Sequence, residues 1–259
     1  SLWAWGGAEI IHGSHYLGAV YGIERILGKA ENPVRSLFNF AGERFGSGLP
    51  VIYVHTVVGE DREGNTGVLG LFCGDDITCY RKAAELSQKV NIFNLKEKQN
   101  KIVTYLDPRR YKTTWIANKA IYRTRRAIRR GGELMVIAPG VGGFGEDLGI
   151  DRLIKKYGYS GRERIMALVE KEKELSQNLC AAAHLIHGSS EGRFSITYCT
   201  EKLNKQELAS VGFNYSSVKE MEKRYPVREL KQGFNRTMEG EEYLFIEDPG
   251  LGLWIAGEE

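Results

Sequence analysis

Residues 133–157, ELMVIAPGVGGFGEDLGIDRLIKKY, place an apolar run, a glycine-rich turn and a helical pattern in direct succession. The run at 134–137 consists of Leu, Met, Val and Ile, as expected of a buried strand. After the turn, Ile150, Leu153 and Ile154 recur at the spacing of an amphipathic helix. Because strand, turn and helix in this order form the repeating unit of α/β folds, the stretch predicts that class.

The turn raises the question of a bound dinucleotide. Gly140, Gly142 and Gly145 spell G-x-G-x-x-G between strand and helix, where a pyrophosphate would meet a helix N-terminus. A dinucleotide site also needs a second strand carrying an acid about twenty residues further on, to hold the ribose. That distance falls on a predicted helix start at 160–163. We therefore expect Gly142, Gly143 and Gly145 to shape a cofactor site or to receive an anion, without binding a dinucleotide.

The strand and helix patterns on either side of this unit divide into two α/β blocks. The charged segment KEKQNK at 96–101 separates them, which predicts a first domain over 1–99 and a second over 100–259. The first domain is interpreted as the C-terminal half of a truncated N-terminal α/β domain. Its predicted elements are a loop leading into a helix at 8–27, a helix from Pro33, two strands around a polar turn within 49–76, and a helix at 77–90.

The second domain is predicted as a three-layer β-α-β-α type with extra helices. Gly131 and Gly132 are expected to end a helix over 113–130, and Ser160 with Glu163 matches a capping box. The predicted elements are a strand at 102–106, that helix, the strand, turn and helix of 133–157, a long helix from 160 to 187 broken once, a strand at 193–199, short helices within 204–212 and 216–225, and a last strand at 243–248.

Composition restricts the class of protein. The chain has 259 residues, of which 42% are hydrophobic and 27% charged, and its net charge of +3 is too small for a dedicated nucleic-acid binder. No apolar run could span a membrane, no secretory signal is recognisable, and four cysteines without C-x-x-C spacing suggest reduced thiols. We expect a cytoplasmic protein with neither a nucleic-acid nor a membrane partner. The first methionine is Met135, so we also expect a fragment or a processed form.

A cationic segment precedes the glycine turn. Residues 108–132 hold nine basic side chains and no acidic one, and a helix there would turn Lys119, Arg123, Arg126 and Arg130 outward. Lys119 stands near the predicted helix N-terminus, where the helix dipole also favours anions. A stripe of this kind is usually a solvated face, but it could also bind a carboxylate, a phosphate or an acidic partner.

Four of the five histidines form two H-x-x-H pairs, His12 with His15 and His184 with His187. On a helical turn this spacing brings both imidazoles to one side, so each pair could be half of a metal site. The pair at 12–15 lies among glycines and is interpreted as part of a loop, a better setting for ligands than the end of a helix. No role is assigned to His184 and His187.

Several short motifs occur in an order that resembles the C-terminal part of the lactate racemase family. They are ENPVR at 31–35, LGLFCGDD at 69–76, LD at 106–107, WIANKAI at 115–121 and GGELMVIAP at 131–139. The resemblance runs over roughly residues 1–150, and the remainder, with DPGLGLW at 248–254, looks like a branch acting on sugar acids. Members of the family use a nickel-pincer nucleotide to remove hydride from C2 of a hydroxy acid and return it on the other face.

The resemblance implies roles for individual residues. His15 stands where the family has its nickel ligand, with His12 as the alternative. Lys119 matches a lysine that contacts the bound anion and so counts as catalytic and substrate-binding, and Trp115 matches a substrate-binding aromatic. The acid–base histidines and the lysine that anchors the cofactor are expected upstream of Ser1. This fragment is therefore expected to be inactive alone and to lack the cofactor.

Together the residues and the resemblance predict an isomerase, a racemase or epimerase of 2-hydroxy acids that include aldonates, acting on a small-molecule substrate. Two alternatives stay open. One is a nucleotide-dependent oxidoreductase that uses the glycine turn, and the other is a non-catalytic α/β module that binds an anion or a partner through the basic stripe.

Overall fold

The computed structural model describes residues 2–46, 48–60 and 65–257, with only the backbone described at 2–6 and 8. The chain forms two compact units, residues 1–93 with 251–253 and residues 94–250 with 254–259. The sequence-predicted boundary between residues 99 and 100 lies inside the second unit. Among the described residues, no helix is both long enough and apolar enough to cross a bilayer.

Helices and strands alternate along most of the chain. The helices are α1 (Leu2–Tyr21), α2 (Ile23–Ile26), α3 (Pro33–Phe45), α4 (Ile77–Asn91), α5 (Thr114–Ala117), α6 (Lys119–Thr124), α7 (Leu148–Tyr157), α8 (Arg162–Lys171), α9 (Lys173–Ser176), α10 (Leu179–His187), α11 (Lys205–Ser210) and α12 (Val218–Arg224). The strands are β1 (Tyr53–Glu60), β2 (Thr66–Gly74), β3 (Ile92–Leu95), β4 (Gln99–Tyr105), β5 (Ile128–Ile137), β6 (Ser195–Cys199), β7 (Asn214–Ser216), β8 (Gly233–Arg236), β9 (Glu242–Ile246) and β10 (Leu253–Ala256). The expected mixed α/β class is confirmed.

The first unit is built on an antiparallel hairpin of β1 and β2 covered on one face by α4. Val57 is buried, and a side chain at Gly70 would lie 2.4 Å from Leu86, so α4 packs closely on this face. The hairpin and the helices α3 and α4 were expected from the sequence, and Asn32 and Asp76 cap those helices with their side chains. The predicted polar turn includes residues 61–64, which lie outside the described residues.

The predicted loop before residue 22 is wrong, because α1 continues through that segment. Its glycines suggested a loop, but only Gly7 leaves the helical region, with φ 58, and it marks a kink. A side chain at Gly18 would lie 3.3 Å from Ile26 and 3.5 Å from Val34. Gly18 therefore lets α2 and α3 pack closely against α1.

The second unit is a six-stranded sheet in the order β7-β6-β5-β4-β9-β8. All neighbours pair in parallel except β8, which is antiparallel to β9. Met135 and Ile137 pack on one face in a cluster that includes Val218 of α12. On the opposite face, Tyr198 of β6 donates to Asn118 between α5 and α6. Helices thus cover both faces, which explains why the central strands read as continuous apolar runs.

The predicted helix over 113–130 is wrong in its second half. Helix α6 ends at Thr124, whose hydroxyl donates back to the Ala120 carbonyl at 2.6 Å, and β5 begins at Ile128. Gly131 has φ 80, but it lies in an irregularity of the β4–β5 pairing and caps no helix. A glycine with positive φ occurs in strand bulges as well as at helix ends, so the glycine alone could not distinguish the two.

The predicted long helix after residue 160 is three helices, α8, α9 and α10. Gly161 with φ 92 occupies the N-cap of α8 without a side-chain cap, so the predicted capping box of Ser160 is not formed. Glu172 is extended and ends α8, and the Asn178 side chain caps α10. The strands β3, β7, β8 and β10 were not expected, because each has only three or four residues.

Candidate functional site

The glycine turn holds the start of α5. Its carbonyl groups accept hydrogen bonds from the first backbone N–H groups of that helix: Thr114 N donates to Gly143 O at 3.1 Å and Trp115 N to Phe144 O at 2.9 Å. The Thr114 hydroxyl also donates to Phe144 O at 3.0 Å. The turn therefore positions the helix that carries Trp115.

The N–H groups of the same turn are occupied by a carboxylate. Phe144 N and Gly145 N donate to Asp151 Oδ1 of α7 at 2.8 Å and 3.2 Å. Burial raises the pKa of Asp151, but the hydrogen bonds from Lys155 and from these two N–H groups outweigh it, so the pKa is lowered. A side chain at Gly145 would come within 2.3 Å of the Asp151 backbone nitrogen. An acid of the chain itself thus lies where a phosphate would have to bind.

These contacts give the glycines a packing role in place of cofactor binding. Gly142 N donates to Lys112 O at 2.9 Å, and Gly143 and Gly145 take part in the bonds to α5 and α7. The sequence assigned Gly142, Gly143 and Gly145 to a cofactor or an anion. In the structure the turn instead connects α5 and α7 through hydrogen bonds. This also speaks against the oxidoreductase alternative, which depends on the turn binding a nucleotide.

Trp115 lies against a buried polar cluster behind α5. Its ring is 4.4 Å from the ring of His184, centroid to centroid. His184 Nε2 lies 3.0 Å from the hydroxyl of Tyr159, which in turn lies 2.7 Å from the hydroxyl of Thr114. Burial, with a smaller contribution from neighbouring His187, lowers the pKa of His184 to about 3. The imidazole is therefore neutral at physiological pH and serves as a fixed support for the indole.

Asn118, between α5 and α6, is held from two sides. Its Oδ1 accepts a hydrogen bond from the Tyr198 hydroxyl at 2.7 Å, and its Nδ2 lies 3.5 Å from His184 Nε2. A side chain at Gly188 would come within 2.4 Å of Asn118 Nδ2 and 2.5 Å of the Tyr159 ring. This packing fixes the position of the Asn118 backbone, which directly precedes Lys119.

Lys119 is half-buried, and its side-chain ammonium makes no ion pair or hydrogen bond with the part of the chain that the structure describes. Three other basic residues of its segment do have acidic partners: Arg109 pairs with Asp107 at 2.8 Å, Arg110 with Asp248 at 2.6 Å and Arg129 with Glu97 at 3.6 Å. A half-buried ammonium of this kind can bind a carboxylate without first breaking an ion pair of the protein.

The predicted cationic stripe does not form, because only part of it is helical. Lys119 and Arg123 belong to α6, whereas Arg126 follows the helix and Arg130 lies in β5. Arg125, another basic residue of the segment, is only 4% exposed. The partner-docking alternative therefore loses the continuous surface on which it was based.

His12 and His15 lie on α1 in the first unit, where the sequence predicted a loop. His15 is exposed and its Nδ1 lies 2.8 Å from Ile11 O, so Nδ1 carries the proton and Nε2 is the nitrogen able to ligate a metal. His12 is half-buried. The described residues contain no group of three or more His, Cys, Asp or Glu side chains that could hold a metal by themselves.

Sequence reasoning missed Asp248, at the carboxyl end of β9. The strand order reverses at β4, which has β5 on one side and β9 on the other, and α/β sheets commonly bind ligands at such a point. Here the Asp248 carboxylate accepts from the Tyr111 hydroxyl at 2.7 Å, from Arg110 at 2.6 Å and from Gly250 N at 2.8 Å. The signal in the sequence was the pair of acids, Glu247 and Asp248, that follows an apolar strand.

Comparison with known proteins gives a fold. No family model and no curated protein sequence matches the chain. Among solved structures, a protein from Thermotoga maritima is similar with a TM-score of 0.75 and 19% identity over 96% of this chain. The lactate racemase apoprotein from Thermoanaerobacterium thermosaccharolyticum is similar with a TM-score of 0.60 and 14% identity over 88% of this chain. The fold is similar to that of a lactate racemase.

The similarity covers only part of each neighbour. The chain spans 60% of the length of the Thermotoga protein and 50% of the lactate racemase. At these identities the comparison shows the fold alone.

Proposed function

We propose that the protein is a racemase or epimerase of 2-hydroxy acids, with sugar acids such as aldonates among its substrates and a location in the cytoplasm. The observation that carries this proposal is the similarity of the fold to the lactate racemase apoprotein, at a TM-score of 0.60 over 88% of the chain. The rigidly supported pair of Trp115 and Lys119 adds a chemical reason, because a 2-hydroxy acid offers a carboxylate to a cation.

In this proposal Lys119 binds the substrate carboxylate and Trp115 limits the orientation of the bound molecule. A charge-assisted hydrogen bond from an ammonium is among the stronger polar contacts in proteins. Both side chains rest on backbone that the cluster of Asn118, Tyr159 and His184 immobilises, so less ordering remains to be done when substrate binds. His184 itself transfers no proton, because it is enclosed and its pKa is about 3.

The nickel-pincer nucleotide implied by the resemblance would supply the acceptor and donor of the C2 hydride. In the first unit His15 would supply the one protein imidazole that this cofactor asks for, because its Nδ1–H donates to Ile11 O and Nε2 is then the basic nitrogen of the ring. We assign this role to His15 ahead of His12. The acid–base histidines and the anchoring lysine are assigned to no residue of this chain.

Lys119→Ala tests the proposal when it is made in the protein produced from its complete reading frame and supplied with the nickel cofactor. We expect kcat/KM for racemisation to fall about ten- to a hundredfold, the equivalent of one charge-assisted hydrogen bond. The melting temperature should not change, because the lysine has no partner to lose among the described residues. Lys112→Ala is the matched control, since Lys112 is an exposed lysine just before α5, and it should retain full activity.

Two results would contradict this assignment. A wild-type protein that interconverts no 2-hydroxy acid enantiomers when loaded with the cofactor removes the proposed activity. A Lys119→Ala variant with unchanged turnover and a lower melting temperature removes Lys119 from the site and makes it a structural residue.

A further inference from the structure

The first unit exposes an apolar sheet face. We define the outer face of the hairpin as the side opposite α4; the apolar side chains on it are Val54, Val58, Val68, Leu71 and Cys73. Val54, Val68 and Leu71 are 62%, 63% and 63% exposed. Cross-strand pairing brings these side chains together, with Val54 opposite Cys73 and Val58 opposite Val68.

Exposure of this kind is unusual for a strand surface. Two-stranded sheets are marginal in water, and an antiparallel sheet that leaves one face to solvent normally carries polar side chains on that face. Here α4 covers the inner face, while the outer face carries aliphatic side chains, a thiol and the neutral Thr56 opposite Leu71, with Glu60 opposite Thr66 at one end. The centre of the outer face therefore matches an uncharged aliphatic surface.

The similar solved structures indicate which polypeptide supplies such a surface. The structural match to the Thermotoga protein covers 96% of this chain at a TM-score of 0.75, but only 60% of the length of the Thermotoga protein. In the Thermotoga protein a large additional part of the polypeptide therefore accompanies the same fold. In the lactate racemase the matched part is smaller still, 50% of the chain length.

We infer that the outer face is a docking surface for a helix with a Leu-, Ile- or Val-rich stripe, supplied by further polypeptide of the same protein beyond these 259 residues. This helix completes a helix–sheet–helix sandwich around β1 and β2. The inference depends on the fold and the exposed side chains, and it stands whether or not the protein racemises hydroxy acids.

The thiol of Cys73 provides a built-in probe, because it is exposed on this face while Cys79 and Cys199 are buried. Reaction with a thiol reagent is compared between the 259-residue chain and the protein made from its complete reading frame. We expect Cys73 to react at least about tenfold more slowly in the longer protein. The half-buried Cys180 of the second unit is the internal reference and should react at the same rate in both.

A substitution gives an independent readout that does not need the shorter chain to fold. In the longer protein, Val68→Lys should lower the melting temperature by about 5 °C or more, because it places a charge in the interface. Met238→Lys is the control, since Met238 is a fully exposed apolar residue of the second unit, and it should have no effect.

Three results would overturn the inference. The first is equal reactivity of Cys73 in both proteins together with an unchanged melting temperature for Val68→Lys. The second is a reading frame that encodes nothing beyond these residues. The third is a concentration-dependent dimer of the 259-residue chain that protects Cys73 and dissociates on Val68→Lys, which would make a second copy the occupant.

Discussion

Replacing Asp151 with alanine tests the role of the glycine turn. The substitution removes the acceptor of two backbone N–H groups, from Phe144 at 2.8 Å and Gly145 at 3.2 Å. Each partly buried donor left without a partner costs about 1–3 kcal/mol, so with two donors we expect the free energy of unfolding to fall by about 2–6 kcal/mol. The ion pair with Lys155 adds little, about 0.5 kcal/mol, because the lysine side chain is 50% exposed.

Urea denaturation of the wild type, Asp151→Ala and Lys155→Ala measures this difference. Lys155→Ala removes only the ion pair and should cost about 0.5 kcal/mol or less. Because the pKa of Asp151 is lowered in the folded state, its contribution is complete above the unfolded pKa of about 3.9 and is lost as the pH falls through the folded value. The stability gap between wild type and Asp151→Ala should therefore close in acid.

Two observations would refute this reasoning about the turn. One is a loss below about 0.5 kcal/mol in Asp151→Ala, which would mean that the two N–H groups find other partners without cost. The other is saturable binding of NADH by the wild type in a fluorescence titration, which would require the N–H groups of the turn to accept a pyrophosphate in spite of the Asp151 carboxylate.

Three further predictions concern the packing of the second unit. Because the pKa of His184 is lowered to about 3, the unfolded chain binds a proton between about pH 3 and 6.5 that the folded chain does not. The free energy of unfolding should therefore decrease as the pH is lowered through this range, by up to about 1.4 kcal/mol per pH unit. In urea titrations, His184→Gln should flatten this slope. Gly188→Ala should cost about 1–3 kcal/mol by thermal unfolding, whereas Gly42→Ala, a helical glycine with open space beside it, should be neutral or stabilising; equal melting temperatures would contradict the packing argument. Lys101→Met leaves the Glu133 carboxylate, 2.7 Å from the Lys101 ammonium, without its cation and should cost about 2–3 kcal/mol by urea denaturation; a neutral result would show that water replaces the lysine.

Much of the fold follows from local sequence signals. The apolar run at 134–137 is a buried strand, the turn after it leads into a helix, and the hairpin followed by a helix forms as expected. These elements have long periodic patterns or side-chain caps, such as Asn32 and Asp147, which act within a few residues of the chain. Local physics is enough to define them.

Other features depend on contacts that are distant in sequence. Gly131 has the φ of a helix cap, yet it belongs to a strand because β5 pairs with β4 and β6. Asp151 reads as an ordinary helix acid, and only the folded turn shows that it accepts two N–H groups. The support of Trp115 by His184 joins residues far apart in the chain, and no spacing rule could have found it.

We propose that the protein inverts C2 of a 2-hydroxy acid with return of the same hydrogen. The most direct test is racemisation of L-lactate or of an aldonate in D₂O by the cofactor-loaded protein from its complete reading frame, followed by proton NMR. We predict that the inverted product keeps protium at C2. Deuterium at C2 would show proton exchange with solvent and contradict the hydride mechanism, and the absence of any inverted product would contradict the proposed function itself.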